Sequence, residues 1–197
     1  MGSRKVSNPL ALAVLALLFE RPMHPYEMGR LLRERDKERS IRYNRGSLYM
    51  VVNQLLRAGF VAAQETVREG QRPERTVYAL TDAGHAELHD WMRAEVSTPH
   101  QEFPRFMAAL SLMGVLRPAE AAELLATRLA ALTEQVDAVR AETRAAMEHG
   151  LDRVFLMEEE YRLALLDAER AFVANLIELI KQPDFGQVWH EFHQERP

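Results

Sequence analysis

The stretch Arg45-Gly46-Ser47-Leu48-Tyr49-Met50-Val51-Val52-Asn53-Gln54-Leu55-Leu56-Arg57-Ala58-Gly59 governs how the rest of the chain reads. Leu48, Val52, Leu55 and Gly59 fall at i, i+4, i+7 and i+11, which is one face of a 3.6-residue helix. Ser47, Met50, Asn53, Gln54 and Arg57 cluster on the opposite face. The pattern predicts a helix from about Arg45 to Ala58, stopped by Gly59. Its outer face carries hydroxyl, amide and guanidinium groups, one apolar side chain and no acid.

Toward the N-terminus, two more helices precede it. Asn8-Pro9 is an N-cap followed by proline at the first helical position. The apolar run Leu10 to Phe19 then has almost no polar face, so this helix should be buried on most sides. Arg21-Pro22 ends it, and His24-Pro25 opens a second helix carrying Tyr26, Met28, Leu31 and Leu32. Residues 36–44 read as a charged connection. Toward the C-terminus, Phe60 to Val67 and Thr76 to Leu80 read as strands. The polar turn between them holds Gly70 and Pro73, and Arg68, Arg72 and Arg75 sit at or beside its tip. Thr81-Asp82 caps a fourth helix, from about 82 to 96.

Three helices and then a two-stranded hairpin are the order of a winged helix-turn-helix. A helix of this length fits the major groove, where Asn, Gln and Arg can form paired hydrogen bonds to base edges. An arginine-bearing hairpin tip suits phosphates or the neighbouring minor groove.

The charge distribution agrees with that reading, although the net charge of −4 alone argues against a nucleic-acid binder. Residues 1–90 hold 14 Lys/Arg against 11 Asp/Glu, a net of +3; the remainder nets −7. Residues 28–57 carry eight basic side chains (Arg30, Arg33, Arg35, Lys37, Arg39, Arg42, Arg45, Arg57) and three acids. One module is thus fit to meet phosphate and the other is not. A solvated face of paired charges is the plainer account of such a stretch.

Several classes are excluded. There is no cysteine, hence no disulfide scaffold, thiol nucleophile or Cys-ligated metal. The longest apolar run is about half of the ~20 residues a membrane span needs. Glu20-Arg21-Pro22 stands where a signal-peptide cleavage site would need small residues, so a cytoplasmic protein is expected.

A domain boundary is expected at Ser97-Thr98-Pro99-His100, dividing the chain into 1–97 and 98–197. Beyond it everything reads as helix: about 105–116, 118–148 and 151–182. Leu125, Leu129, Leu132, Val136 and Val139 recur at steps of 4, 3, 4 and 3, a coiled-coil-like seam. Met157, Tyr161, Leu165, Ala168, Phe172, Leu176 and Leu179 make a similar stripe on the last long helix. These stripes are wider than one helix pair requires, which predicts a homodimer. The tail carries Phe185, Trp189 and Phe192, as a docked segment would.

Gly46-Ser47-Leu48-Tyr49, then Leu55, Gly59-Phe60-Val61, then Arg75-Thr76-Val77-Tyr78-Ala79-Leu80-Thr81-Asp82-Ala83-Gly84 resembles the PadR family of bacterial transcriptional regulators. The resemblance covers roughly residues 9–95. Met50, Val52 and Leu56 depart from the family pattern, which more often has proline, leucine and glutamate there. The acidic helical half resembles the C-terminal dimerisation domain of the family's longer members. The resemblance implies a ligand-responsive repressor, homodimeric on a palindromic operator, with no enzymatic activity and no cofactor. It implies that Tyr49 reaches a phosphate, although packing within the module is an equal account of that ring. Ser47, Asn53, Gln54 and Arg57 would face the groove. Arg42, Asn44 and Arg45 would contact the DNA backbone, and Arg68, Arg72 and Arg75 would serve the wing. Arg75 could equally pair with Glu65 or Glu74. A small apolar or aromatic effector is expected between the domains, near Phe19, Trp91, Phe103, Phe106, Phe155 and Tyr161, with Arg162 or Tyr161 as its polar end. Core packing is the competing account of each of these aromatics.

Two other readings compete with the regulator. One is a helical protein-interaction dimer that does not bind DNA. The other is a metal sensor built on His85 and His89, which stand at i and i+4. The intervening Glu87 lies about 200° round the helix from His85, so this is not a His-Glu-x-x-His site, and no third ligand is evident.

Overall fold

The computed structural model describes residues 6–67 and 75–194. The chain forms two compact units, Met1–Gln101 and Glu102–Pro197.

In the N-terminal unit, α1 (Pro9–Glu20) starts at Asn8, whose Oδ1 accepts from the Ala11 N–H at 2.9 Å. Leu10, Ala11, Val14, Leu15, Leu17 and Leu18 of this helix are buried, so it forms the centre of the unit. Helix α2 (Pro25–Glu34) is capped by His24, whose Nδ1 accepts from the Tyr26 N–H at 3.0 Å. The charged connection contains a single 3-10 turn, Lys37–Arg39, entered through Asp36 at φ 53°. Helix α3 (Arg45–Ala58) has the expected bounds, and Gly59 ends it at φ 79°. Strands β1 (Val61–Val67) and β2 (Arg75–Leu80) pair antiparallel, with an irregularity between Ala63 and Glu65. Met23 adds a bridge to Tyr78 through two N–H···O bonds of 3.1 Å. The sequence reading missed this edge. Its signal is Arg21-Pro22-Met23-His24-Pro25: each proline forces its predecessor toward extended backbone. Helix α4 (Asp82–Ser97) closes the unit and buries Leu88 and Trp91 in the core.

In the C-terminal unit, α5 (Arg105–Ser111) is shorter than the expected 105–116; a 3-10 turn, Met113–Val115, follows, with Gly114 at its centre. Helix α6 (Pro118–Glu148) matches its expected range. Gly150 at φ 86° turns the chain, and Asp152 caps a 3-10 turn, Arg153–Leu156. Helix α7 therefore begins at Met157 rather than 151 and runs to Ile180. Pro183 disfavours helical backbone at Gln182, and a separate helix, α8 (Pro183–Gln194), takes up the tail.

The α6 seam is buried at Leu125, Leu132, Val136 and Val139. The α7 stripe is a correction. Met157, Tyr161, Leu165 and Phe172 are exposed, and the residues α7 buries are Val173, Ile177 and Ile180. Both sets have helical spacing, and periodicity cannot say which of two apolar faces meets α6. Two charged links brace the pair: Arg128 Nε donates to Glu169 at 2.6 Å, and Arg140 reaches Asp167 at 2.8 Å. Trp189 of α8 is buried against the same core, its Nε1 donating to the Leu116 carbonyl at 3.1 Å.

Candidate nucleic-acid interface

The start of α3 is held by a reciprocal cap. Asn44 Oδ1 accepts from the Ser47 N–H, and Ser47 Oγ accepts from the Asn44 N–H, each at 2.8 Å. Ser47 Oγ also contacts the Asn44 carbonyl at 2.8 Å. These bonds satisfy donors that a helix start otherwise leaves open. The Ser47 hydroxyl is thereby engaged in shaping the helix. Asn44 uses its Oδ1 in the same cap and retains its Nδ2 as a donor.

Leu48, Val51, Val52 and Leu55 bury the inner face of α3. Asn53, Arg57 and Met50 are exposed on the other side, and Gln54 is half-buried beside them. Gln54 and Arg57 line a polar groove with Ser7 and Asn8 at the start of α1. Tyr49 is half-buried, its ring edge-on to His24 at 6.3 Å between centroids. Tyr43 donates to the Gly29 carbonyl at 3.3 Å, which ties the connection before α3 to α2, and burial pushes its phenol up.

Ion pairing separates the basic residues of this region into two groups. Arg30 meets Glu27 and Glu34, Arg35 meets Glu20, and Arg39 meets Asp36. Arg42, Arg45 and Arg57 are exposed, and no ion pair with a described residue engages them. Exposed charge with no described acid partner thus stands at both ends of α3, and also on α2 at Arg33. Of the wing arginines, Arg68 and Arg72 lie outside the described residues, and the side chain of Arg75 does too; its backbone pairs with Val67.

The wing is fastened to the helices by one threonine. Thr81 Oγ1 donates to the Gly59 carbonyl at 2.7 Å and accepts from the Gly84 N–H at 3.0 Å. The end of α3, the exit of β2 and the start of α4 thus share one hydroxyl. The sequence marks Thr81 as a cap of α4, but its bond to Gly59 spans 22 positions and carries no local signal.

The expected effector residues divide between the units. In the N-terminal unit Trp91 is only 2% exposed and donates to Glu95 at 2.9 Å. Phe19 is exposed and lies edge-on to both His85 and His89, each at 5.7 Å. In the C-terminal unit Phe103, Phe155 and Tyr161 are exposed, and Arg162 pairs with Glu159. Phe106 packs on the core with the Arg128 guanidinium 3.7 Å above its ring, and lines a 390 Å³ cavity with Leu110, Met113 and Leu125. Among the described residues, no group of three or more His, Asp or Glu side chains is placed to hold a metal ion. None of their helices is long and apolar enough to cross a membrane.

A three-helix core with a strand-paired wing and a polar-faced third helix defines a winged helix-turn-helix protein, here followed by a helical unit. Residues 14–90 match the model of the Transcriptional regulator PadR-like family. The chain is 27% identical over 120 residues to the Negative transcriptional regulator PadR of Bacillus subtilis (strain 168). That alignment spans 61% of this chain and 65% of the relative. The fold is similar to the crystal structure of Bacillus subtilis PadR in complex with operator DNA (TM-score 0.67, 20% identity, 87% of this chain and 99% of the other). It is similar to the same protein in complex with p-coumaric acid (TM-score 0.67, 19% identity, 88% and 99%).

Proposed function

We propose that this chain is a transcriptional repressor that binds a palindromic DNA operator as a homodimer and is released by a small effector. The observation that carries the DNA-binding reading is the outer face of α3. It presents Asn53, Gln54 and Arg57, with Arg42 and Arg45 at its start and no described acid paired with any of the three arginines. Amide and guanidinium groups on a helix of this width match base edges in the major groove, and the flanking arginines match phosphates. Asn44 Nδ2 is assigned to the backbone as well, whereas Ser47 is assigned to holding the helix start.

Homodimerisation is supported by the apolar face that α7 leaves exposed. A palindromic operator presents half-sites one DNA turn apart, about 34 Å, which is the spacing the two α3 helices of such a dimer would have to adopt. The repressor sense is supported by the relative named as a negative regulator, and effector release by the p-coumaric acid complex of that protein. An effector acts if it prefers the spacing that does not fit the operator.

The test is fluorescence anisotropy with DNA from upstream of the chain's own gene and with scrambled DNA. Asn53→Ala, Gln54→Ala and Arg57→Ala are each expected to lose about 1–3 kcal/mol on the specific site. A triple variant that still distinguishes specific from scrambled DNA as the unmodified chain does would overturn the assignment.

A further inference from the structure

Two cavities flank the Met113–Val115 turn of the C-terminal unit, and their charged groups differ. The one under Phe106 has Arg128, but that guanidinium already lies on the Phe106 ring and pairs with Glu169. Its charge is answered within the fold. The second cavity is about 670 Å³, within the range of small-molecule sites. Met113 and Leu179 give it apolar walls. Phe185 and Trp189 add two rings, 5.9 Å apart and inclined at 74°. The Trp189 ring is held in place by its bond to the Leu116 carbonyl. Among the described residues the polar lining is Gln182 and Asp184, and none of the described lining side chains is basic. The nearest cation in sequence, Lys181, pairs with Glu178 at 2.7 Å. Among the described residues no cation pairs with Asp184.

From this arrangement we propose that the α7–α8 cavity is a binding site for an amphipathic organic cation, its apolar body between Met113, Leu179 and the two rings and its positive centre at Asp184. Aromatic faces attract cations as well as apolar groups, and Asp184, which no described cation answers, sets the sign of the preferred charge. The same carboxylate disfavours an aryl carboxylate. The site is thus opposite in charge preference to the acid bound by the Bacillus subtilis protein. This deepens the effector half of the function proposed above and does not rest on DNA binding.

Tetraphenylphosphonium and tetraphenylborate share a shape and differ in charge sign, so they test the proposal directly. Calorimetric titration of the full chain, without DNA, should show the phosphonium binding more tightly. Asp184→Asn should weaken the phosphonium by about fivefold, the factor given by one partly exposed charge pair, and leave the borate unweakened. In a Trp91→Phe background Trp189 is the sole tryptophan, and its emission should change with the same midpoint. Equal or tighter borate binding, absence of phosphonium binding, or an unchanged Asp184→Asn titration would each overturn the site. Phosphonium binding with the predicted Asp184 dependence, but no change in operator affinity, would uphold the site and overturn the effector reading.

Discussion

A Cβ built on Gly84 would stand 2.0 Å from the Phe60 carbonyl oxygen, which is closer than any real contact. That carbonyl also accepts from the Thr81 N–H at 3.1 Å, so it cannot retreat without opening the junction between wing and α4. This is the physical need behind the Thr-Asp-Ala-Gly run at 81–84. Gly84→Ala should cost about 1–3 kcal/mol in urea unfolding, the range for forced overpacking. Unchanged stability would mean that the close approach relaxes freely. Charge at the residue scale gives a pH dependence. The Arg35 hydrogen bond holds the Glu20 carboxyl below the usual carboxylate range, and Arg21 does the same for Glu27. A lowered folded value means that the contribution is present at neutral pH and is lost as pH falls through it. Both pairs are largely exposed, so the effect is small. The thermal midpoint should fall on acidification below about pH 4.5, the ordinary carboxylate value, with a shallower slope in Glu20→Gln/Glu27→Gln.

At the scale of elements, α3 is positioned from both ends. Asn44 and Ser47 fix where it starts, and Gly59 and Thr81 fix where it stops and how the wing is joined to it. Thr81→Val keeps the shape of the side chain and removes its hydroxyl, which caps α4 and binds the Gly59 carbonyl. The expected loss is about 1–2 kcal/mol, the upper part of the range for a lost cap. If the hydroxyl also sets the angle between α3 and the wing, specific DNA affinity should fall in the same variant at temperatures where it is fully folded. An unaltered DNA affinity would confine Thr81 to stability. The bounds of α3 were legible because its apolar period and its terminal glycine agree, whereas the Asn44–Ser47 cap emerged only in the structure. The bounds of α7 were not, because Gly150, the Asp152 cap and Pro183 each punctuate a run that stays apolar and helix-prone throughout.

At the scale of the molecule, α7 exposes an apolar face that a solitary helix pair would be expected to cover. Tyr161 is 68% exposed, Met157 63% and Leu165 54%, in one helical row with Phe172. Apolar exposure of this kind is what the proposed dimer would cover. Replacing Leu165 with Glu and Phe172 with Arg should convert a dimer to a monomer in sedimentation at micromolar concentration, with helix content preserved. If the proposed dimer is obligate, its interface should bury more than about 2,000 Å². A chain that sediments as a monomer before any substitution would remove the dimer from the proposed mechanism, and with it the palindromic operator.

The sequence alone determined the order of helices and hairpin in the N-terminal unit, the inner face of α3 and the polar residues on its outer face. These are local properties: caps, turn residues and a period of 3.6 act within a few positions, so they can be read without knowing the fold. It also marked residues 28–57 as basic, but not which arginines are available. Only the tertiary structure decided that Arg35 meets Glu20 across fifteen positions, while Arg42, Arg45 and Arg57 meet no described acid. Only the tertiary structure turned Val173, Ile177 and Ile180 inward and the Tyr161–Phe172 row outward. It alone brought Asp184 and Trp189 of α8 to a cavity beside Met113, about seventy residues earlier in the chain. The reason is the same in each case. Pairing of charges and choice of buried face depend on which distant segments pack together, and packing is settled by the whole core at once.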